Sequence, residues 1–242
     1  MHDLVSELLP DDDKSFELFR SFFLSLRSQF CPLRKLTKEN YKITIIRFPK
    51  CDASVYSTVD VIKTALMMFD ANYVMYDNGD GIVDGEIFIL DIVGFSFRQF
   101  LDVSTNVKTF LVYTTFLQEC APVTLRCNHI TNSSSIIDGV MALIRPILRK
   151  DITELVQFHK NPAETLTKII DKDVLPIDYG GTNGTIDEHY KEWLKVFETK
   201  RFDCSHFTDW TWFDCPLIPT ETTCLTMTIG RFSPPPPPPT LN

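Results

Sequence analysis

The segment Glu86–Val93 reads Glu-Ile-Phe-Ile-Leu-Asp-Ile-Val and constrains the fold more than any other part of the chain. It is short, rich in β-branched residues and almost continuously apolar, which is typical of a strand covered on both faces rather than one. A sheet with a layer on each side follows from it. Lys42–Phe48 is a second such run, stopped by Pro49, since proline cannot donate to a ladder. Thr124–Thr131 and Leu155–His159 read as further strands. Helical periodicity fills the gaps: Ser57–Tyr73 through Val61, Ala65, Met68 and Phe69, then Ser104–Ala121, Ser134–Leu148, Ala163–Ile170, and Thr185–Thr199 with Tyr190, Trp193 and Phe197. Alternating strands and helices predict an α/β fold, a mostly parallel sheet with flanking helices.

Ahead of the first strand, Asp11–Asp13 caps a predicted amphipathic helix over Lys14–Phe30. Its stripe is Phe16, Phe19, Phe23, Leu26 and Phe30, with Cys31-Pro32 ending it. A helix laid on the domain is favoured over one lying on a membrane surface. Beyond about Phe213 the periodicity fades into the polyproline run Pro234–Pro239, which cannot join a core. The expected division is a short helical segment over 1–40, one domain over 41–213 and an irregular tail over 214–242.

Composition decides between partner classes. A net charge of −8 argues against nucleic acid, whose phosphates require clustered Lys and Arg. Met1–Leu9 lacks the pattern of a secretory signal, and no apolar stretch is long enough to span a bilayer. Seven scattered cysteines without a CxxC pair fit a reducing compartment. A cytoplasmic protein is expected.

The remaining motifs are weak. Tyr76–Val83 imitates a calcium loop with Gly81 at its sixth position, but Tyr76 and Ile87 then stand where the first and last oxygen ligands belong. His129, His159, His189 and His206 form no ligand pair, so no metal is expected. No GxSxG elbow exists. Cys120 and Cys127 flank a strand start, which leaves a cysteine nucleophile as the enzymatic alternative, although free cysteines are usually small buried hydrophobes. Arg231–Pro237 satisfies the pattern for an SH3-type groove. No cofactor and no catalytic residues are expected.

Three stretches together resemble a known family. Phe88–Ser96 carries Asp91, Gly94 and Phe95; Pro122–Asn132 is a strand ending in asparagine; Val174–Gly181 reads Val-Leu-Pro-Ile-Asp-Tyr-Gly-Gly. With Ile144-Arg145-Pro146 and Trp193, they resemble the CRAL-TRIO lipid-binding family, nearest its tocopherol-transfer and retinaldehyde-binding members. The resemblance implies an apolar pocket closed by a mobile lid helix, with binding and intermembrane transfer of a retinoid, tocopherol or similar lipid. It implies peripheral membrane association and no chemistry. The lid maps onto Ser134–Leu148, where Ile137, Val140, Met141, Ile144 and Leu148 form one stripe; taken alone, that stripe favours a core helix, and the resemblance turns the reading toward a lid. By family position the floor would include Leu90, Val103, Phe116, Leu117, Val123 and Leu125, with Asn128 where an apolar residue is usual. A polar lining atom favours a ligand with an oxygen function. Phosphoinositide-binding members use a basic cleft; Arg126 matches one of its positions, with Arg149 and Lys150 close by. The alternative is a phosphoinositide-responsive adaptor. Few residues precede the first strand, so a shortened N-terminal helical region is also expected.

Overall fold

The computed structural model describes residues 29–48, 56–75, 83–119, 124–133 and 135–200. Five strands form one sheet in the order of the chain: β1 (Gln29–Pro32), β2 (Tyr41–Arg47), β3 (Gly85–Asp91), β4 (Leu125–Thr131) and β5 (Val156–His159). β1 is antiparallel to β2, and every later pairing is parallel. Each parallel strand is therefore added to the same side of its predecessor. Because such crossovers are right-handed, all three of them cover the same face. They carry α1 (Thr58–Met75), then α2 (Phe97–Thr105) and α3 (Val107–Glu119), then α4 (Ser135–Ile144) and α5 (Lys150–Glu154).

The opposite face must be covered by chain that returns after β5. α6 (Pro162–Thr165) and the 3-10 turns Leu166–Lys168 and Ile177–Tyr179 do this, and α7 (Ile186–Lys200) meets the β1 edge. Leu166, Ile170, Val174, Leu175 and Tyr179 pack there on Cys31, Ile43, Ile45, Ile87 and Ile89. Ile43, Ile45, Ile89, Leu166 and Leu175 retain no accessible surface, so this face is sealed.

The sequence-derived elements shift in four places. The helix expected to reach Phe30 gives way to strand β1, whose register sets Phe30 opposite Ile46; its ring meets Phe69 and Trp193, so the phenylalanine spacing served a strand at its end. The single helix expected over Ser104–Ala121 is two helices parted at Asn106, which caps α2 through a bond to the Asp102 carbonyl. The lid helix stops at Ile144 rather than Leu148, because Pro146 disfavours helical backbone at Arg145 before it. Ala163–Ile170 is a four-residue helix and a 3-10 turn. The stripe over Lys14–Ser28, the calcium-like loop up to Ile82, and the polyproline run lie outside the described residues.

Candidate functional site

The two faces of the sheet are packed differently. On the helix-covered face, Phe88 and Leu90 of β3 and Leu125 and Asn128 of β4 remain half-buried. Above them, Phe110, Tyr113 and Phe116 of α3 are half-buried as well. Tyr113 lies deep enough that burial alone pushes its phenol pKa up, yet it keeps accessible surface. The strand order contains no switch point, so it also lacks the crevice at strand ends that doubly wound sheets offer ligands. Any ligand space lies between sheet and helices.

One end of this layer is closed. Ile137, Val140 and Met141 of α4 are buried against Ile92 and Ile130, and Leu90, Phe100, Phe110, Ile144, Leu148 and Val156 pack around them. The stripe foreseen from spacing thus faces the sheet. Gly139 meets the Phe100 ring so closely that an added Cβ would lie 2.9 Å from it, which makes the glycine a seat for α2 against α4. Val103 is buried on α2, Phe116 is half-buried and Leu117 about a third exposed on α3. Leu125 and Asn128 share the helix-covered face, the latter with a buried Oδ1 that has no hydrogen-bond partner. Val123 lies outside the described residues.

The three stretches that carry the resemblance meet at one carboxylate. Asp91, 2% exposed, accepts from Asn132 Nδ2 at 2.7 Å, from the Val93 amide at 3.1 Å and from Tyr179 Oη at 2.8 Å. Arg47 Nε lies 3.5 Å from it, and Nη1 of the same guanidinium lies 3.4 Å from Asp178. Burial, then the Asp91 charge, pushes the Tyr179 phenol pKa far up. The Gly-Gly pair has a steric cause: Gly180 adopts φ +80°, and a Cβ on Gly181 would fall 1.9 Å from the Leu175 carbonyl. This hub fastens the sealed face to the ends of β3 and β4; it is structural.

The basic residues are each engaged. Arg126 donates to the Asp84 carbonyl at 2.7 Å and lies over the Tyr41 ring at 5.2 Å. Arg149 holds Asp151 in a fork, at 3.1 and 2.6 Å, and reaches Glu119 at 3.5 Å. Lys150 is exposed beside Glu154.

The cysteine alternative is answerable for Cys127, since Cys120 lies outside the described residues. Its thiol donates to the Leu155 carbonyl, and burial raises its pKa. That disfavours the thiolate a nucleophile needs. His129, 3.7 Å from the sulfur, is hydrogen-bonded through Nδ1 to His159 Nε2 at 3.0 Å. Thr165 donates to the Asn161 carbonyl, so His159 Nδ1 must donate to Thr165, and His129 Nδ1 to His159. Burial, then His159, lowers the His129 pKa to about 4. Both rings are neutral at pH 7, and the chain of bonds points away from the sulfur. Among the described residues no cluster fit for a metal occurs.

Phe88, Phe100, Phe110, Tyr113 and Asn72 were not foreseen from the sequence as members of this layer. Phe110 and Tyr113, three apart and adjoining Phe116 and Leu117, offered a spacing signal; Asn72 offered none.

Residues 26–181 match the family described as the CRAL/TRIO domain. Mouse clavesin-2 is 26% identical over 149 residues, covering 62% of this chain and 44% of that protein. Mouse alpha-tocopherol transfer protein-like is 32% identical over 71 residues, 29% of this chain and 21% of that one. The chain thus spans less than half the length of these relatives. Sfh5 superposes with a TM-score of 0.50 at 12% identity, over 72% of this chain and 63% of that one, which bears on the fold.

Proposed function

Because the chain belongs to the CRAL/TRIO domain family, a lipid-binding and transfer type of domain, we propose that it holds one lipophilic molecule between the sheet and its helices and exchanges it at membrane surfaces without altering it. The half-buried Phe88, Leu90 and Tyr113 between the sheet and its helices carry this reading, set against the sealed opposite face. Titration of the folded protein with fluorescent retinoid, tocopherol and phospholipid analogues is expected to saturate at one per chain for at least one class. Saturation by none of them in folded protein would sink the carrier reading.

Exchange requires α4 to lift, since its stripe closes the layer. Beside α4, helix α2 leaves Phe97 60% and Leu101 48% exposed, with Val93 at 41% just before it. Phe97 and Leu101, four apart, lie on one side of α2 with exposed Arg98. That combination suits the interface of an anionic bilayer. No helix among the described residues is long and apolar enough to cross a membrane, so contact would be peripheral, with the cytoplasm as the proposed setting. The double substitution Phe97→Ser with Leu101→Ser is expected to weaken flotation with phosphatidylserine vesicles about tenfold or more, from roughly 1–2 kcal/mol per lost side chain, while ligand titration stays unchanged. Unaltered flotation excludes this face.

Phosphoinositide regulation would require Arg149 to exchange Asp151 for phosphate. Adding phosphatidylinositol bisphosphate to the same vesicles, with the charge density held constant, measures whether Arg126, Arg149 and Lys150 read it. The tail's SH3-type partner remains a proposal resting on Arg231–Pro237.

A further inference from the structure

The helix-covered face changes character along β3. Toward the strand ends it is aliphatic, through Leu90, Ile92 and Ile130. Around Phe88 it turns polar. Asn128, the register partner of Phe88 on β4, buries an Oδ1 with no hydrogen-bond partner. On the other side of β3, Thr44 is the register partner of Phe88 and donates to the Glu86 carboxylate. From above, Phe69 of α1 meets the Phe88 ring edge-on at 5.5 Å. Asn72, three residues after Phe69, has no accessible surface and leaves both Oδ1 and Nδ2 without partners. An orphaned buried amide is strongly disfavoured; here Asn128 lies beside Phe88 in register, and Asn72 follows by three residues the Phe69 whose ring packs on Phe88.

We propose that Asn128 and Asn72 read a polar end group on the ligand, and that this group is a hydroxyl on an apolar chain rather than an ether, ester or aldehyde. The inference rests on the carrier reading above. Asn128 Oδ1 only accepts, so its partner must donate, which an aldehyde, ester or ether cannot do. A hydroxyl that donates its one proton to Asn128 Oδ1 still accepts, so it can also take a bond from Asn72 Nδ2. The apolar remainder would then extend past Leu90 toward α4.

A matched pair tests this in the wild-type protein: a long-chain isoprenoid alcohol and its methyl ether, measured by direct binding. The alcohol is expected to bind about 10- to 100-fold more tightly, because the ether leaves a buried acceptor unpaired. Asn128→Leu is expected to abolish the preference by weakening the alcohol alone. Asn72→Leu is expected to raise the melting temperature of the ligand-free protein by a few degrees, whereas an asparagine with a structural partner would lower it. Equal binding of alcohol and ether overturns the polar readout and leaves the carrier reading standing. Saturable binding by neither overturns both.

Discussion

Replacing Asp91 with alanine is expected to lower the melting temperature by about 10 °C or more, the largest effect of any single substitution proposed for this chain. Three donors lose their acceptor at once: Asn132 Nδ2, the Val93 amide and Tyr179 Oη. The half-buried Arg47 guanidinium is left with Asp178 alone. Stranding the donors and the charge costs about 3–5 kcal/mol, set against a total stability of about 5–15 kcal/mol. Asp91→Asn keeps the shape and some acceptor capacity, so about half that loss is expected, and Tyr179→Phe should cost only about 1 kcal/mol. Thermal melts of the three variants rank the contributions. A shift below about 3 °C for Asp91→Ala would show that the hub holds little together.

The second large effect is acid lability from the histidine pair. His129 is 2% and His159 6% exposed, and both have folded pKa values below the ordinary histidine range, His129 at about 4. A depressed pKa means that the unfolded chain binds more protons than the folded one between about pH 6.5 and pH 4. Stability is therefore complete above about pH 6.5 and falls as the pH drops through that window, by about 3 kcal/mol for His129 alone. Protonating His159 Nε2 would set a donor against the donor on His129 Nδ1, and the β4–β5 edge is expected to loosen first. Urea midpoints measured from pH 7 to pH 4 check this. His129→Gln should flatten the slope, and an equal slope in that variant assigns the acid loss elsewhere.

The motifs that identified the family were legible because each answers a local demand: an aspartate to collect donors, glycines where no Cβ fits, an asparagine at φ +55° where β4 ends. Strand β3 was legible because its run is almost continuously apolar, and β2 because its run is β-branched and stopped by Pro49. Helix α2 was missed although Ser96 and Gln99 form a capping box, whose Ser-x-x-Gln spacing stands in the sequence; its exposed Phe97 and Leu101 blurred the amphipathic pattern. The candidate site was only partly legible. Spacing found the α4 stripe, but the half-burial of Phe88 and Tyr113 depends on how far the helices stand off the sheet, which no local pattern encodes. The engagement of Arg149 by Asp151 from a neighbouring turn is likewise a matter of side-chain placement that spacing does not encode.

The strand order has a consequence for biosynthesis. A ribosome delivers β1 to β5 in the sequence in which they lie side by side, so each new strand finds its partner already made. The cover of the sealed face comes last. Until Leu166, Ile170, Val174, Leu175 and Tyr179 leave the exit tunnel, Ile43, Ile45, Ile87 and Ile89 form an open apolar surface of the kind that aggregates or recruits chaperones. Nascent chains arrested between β5 and the Gly-Gly turn should bind a chaperone strongly, and chains arrested well past α7 should not.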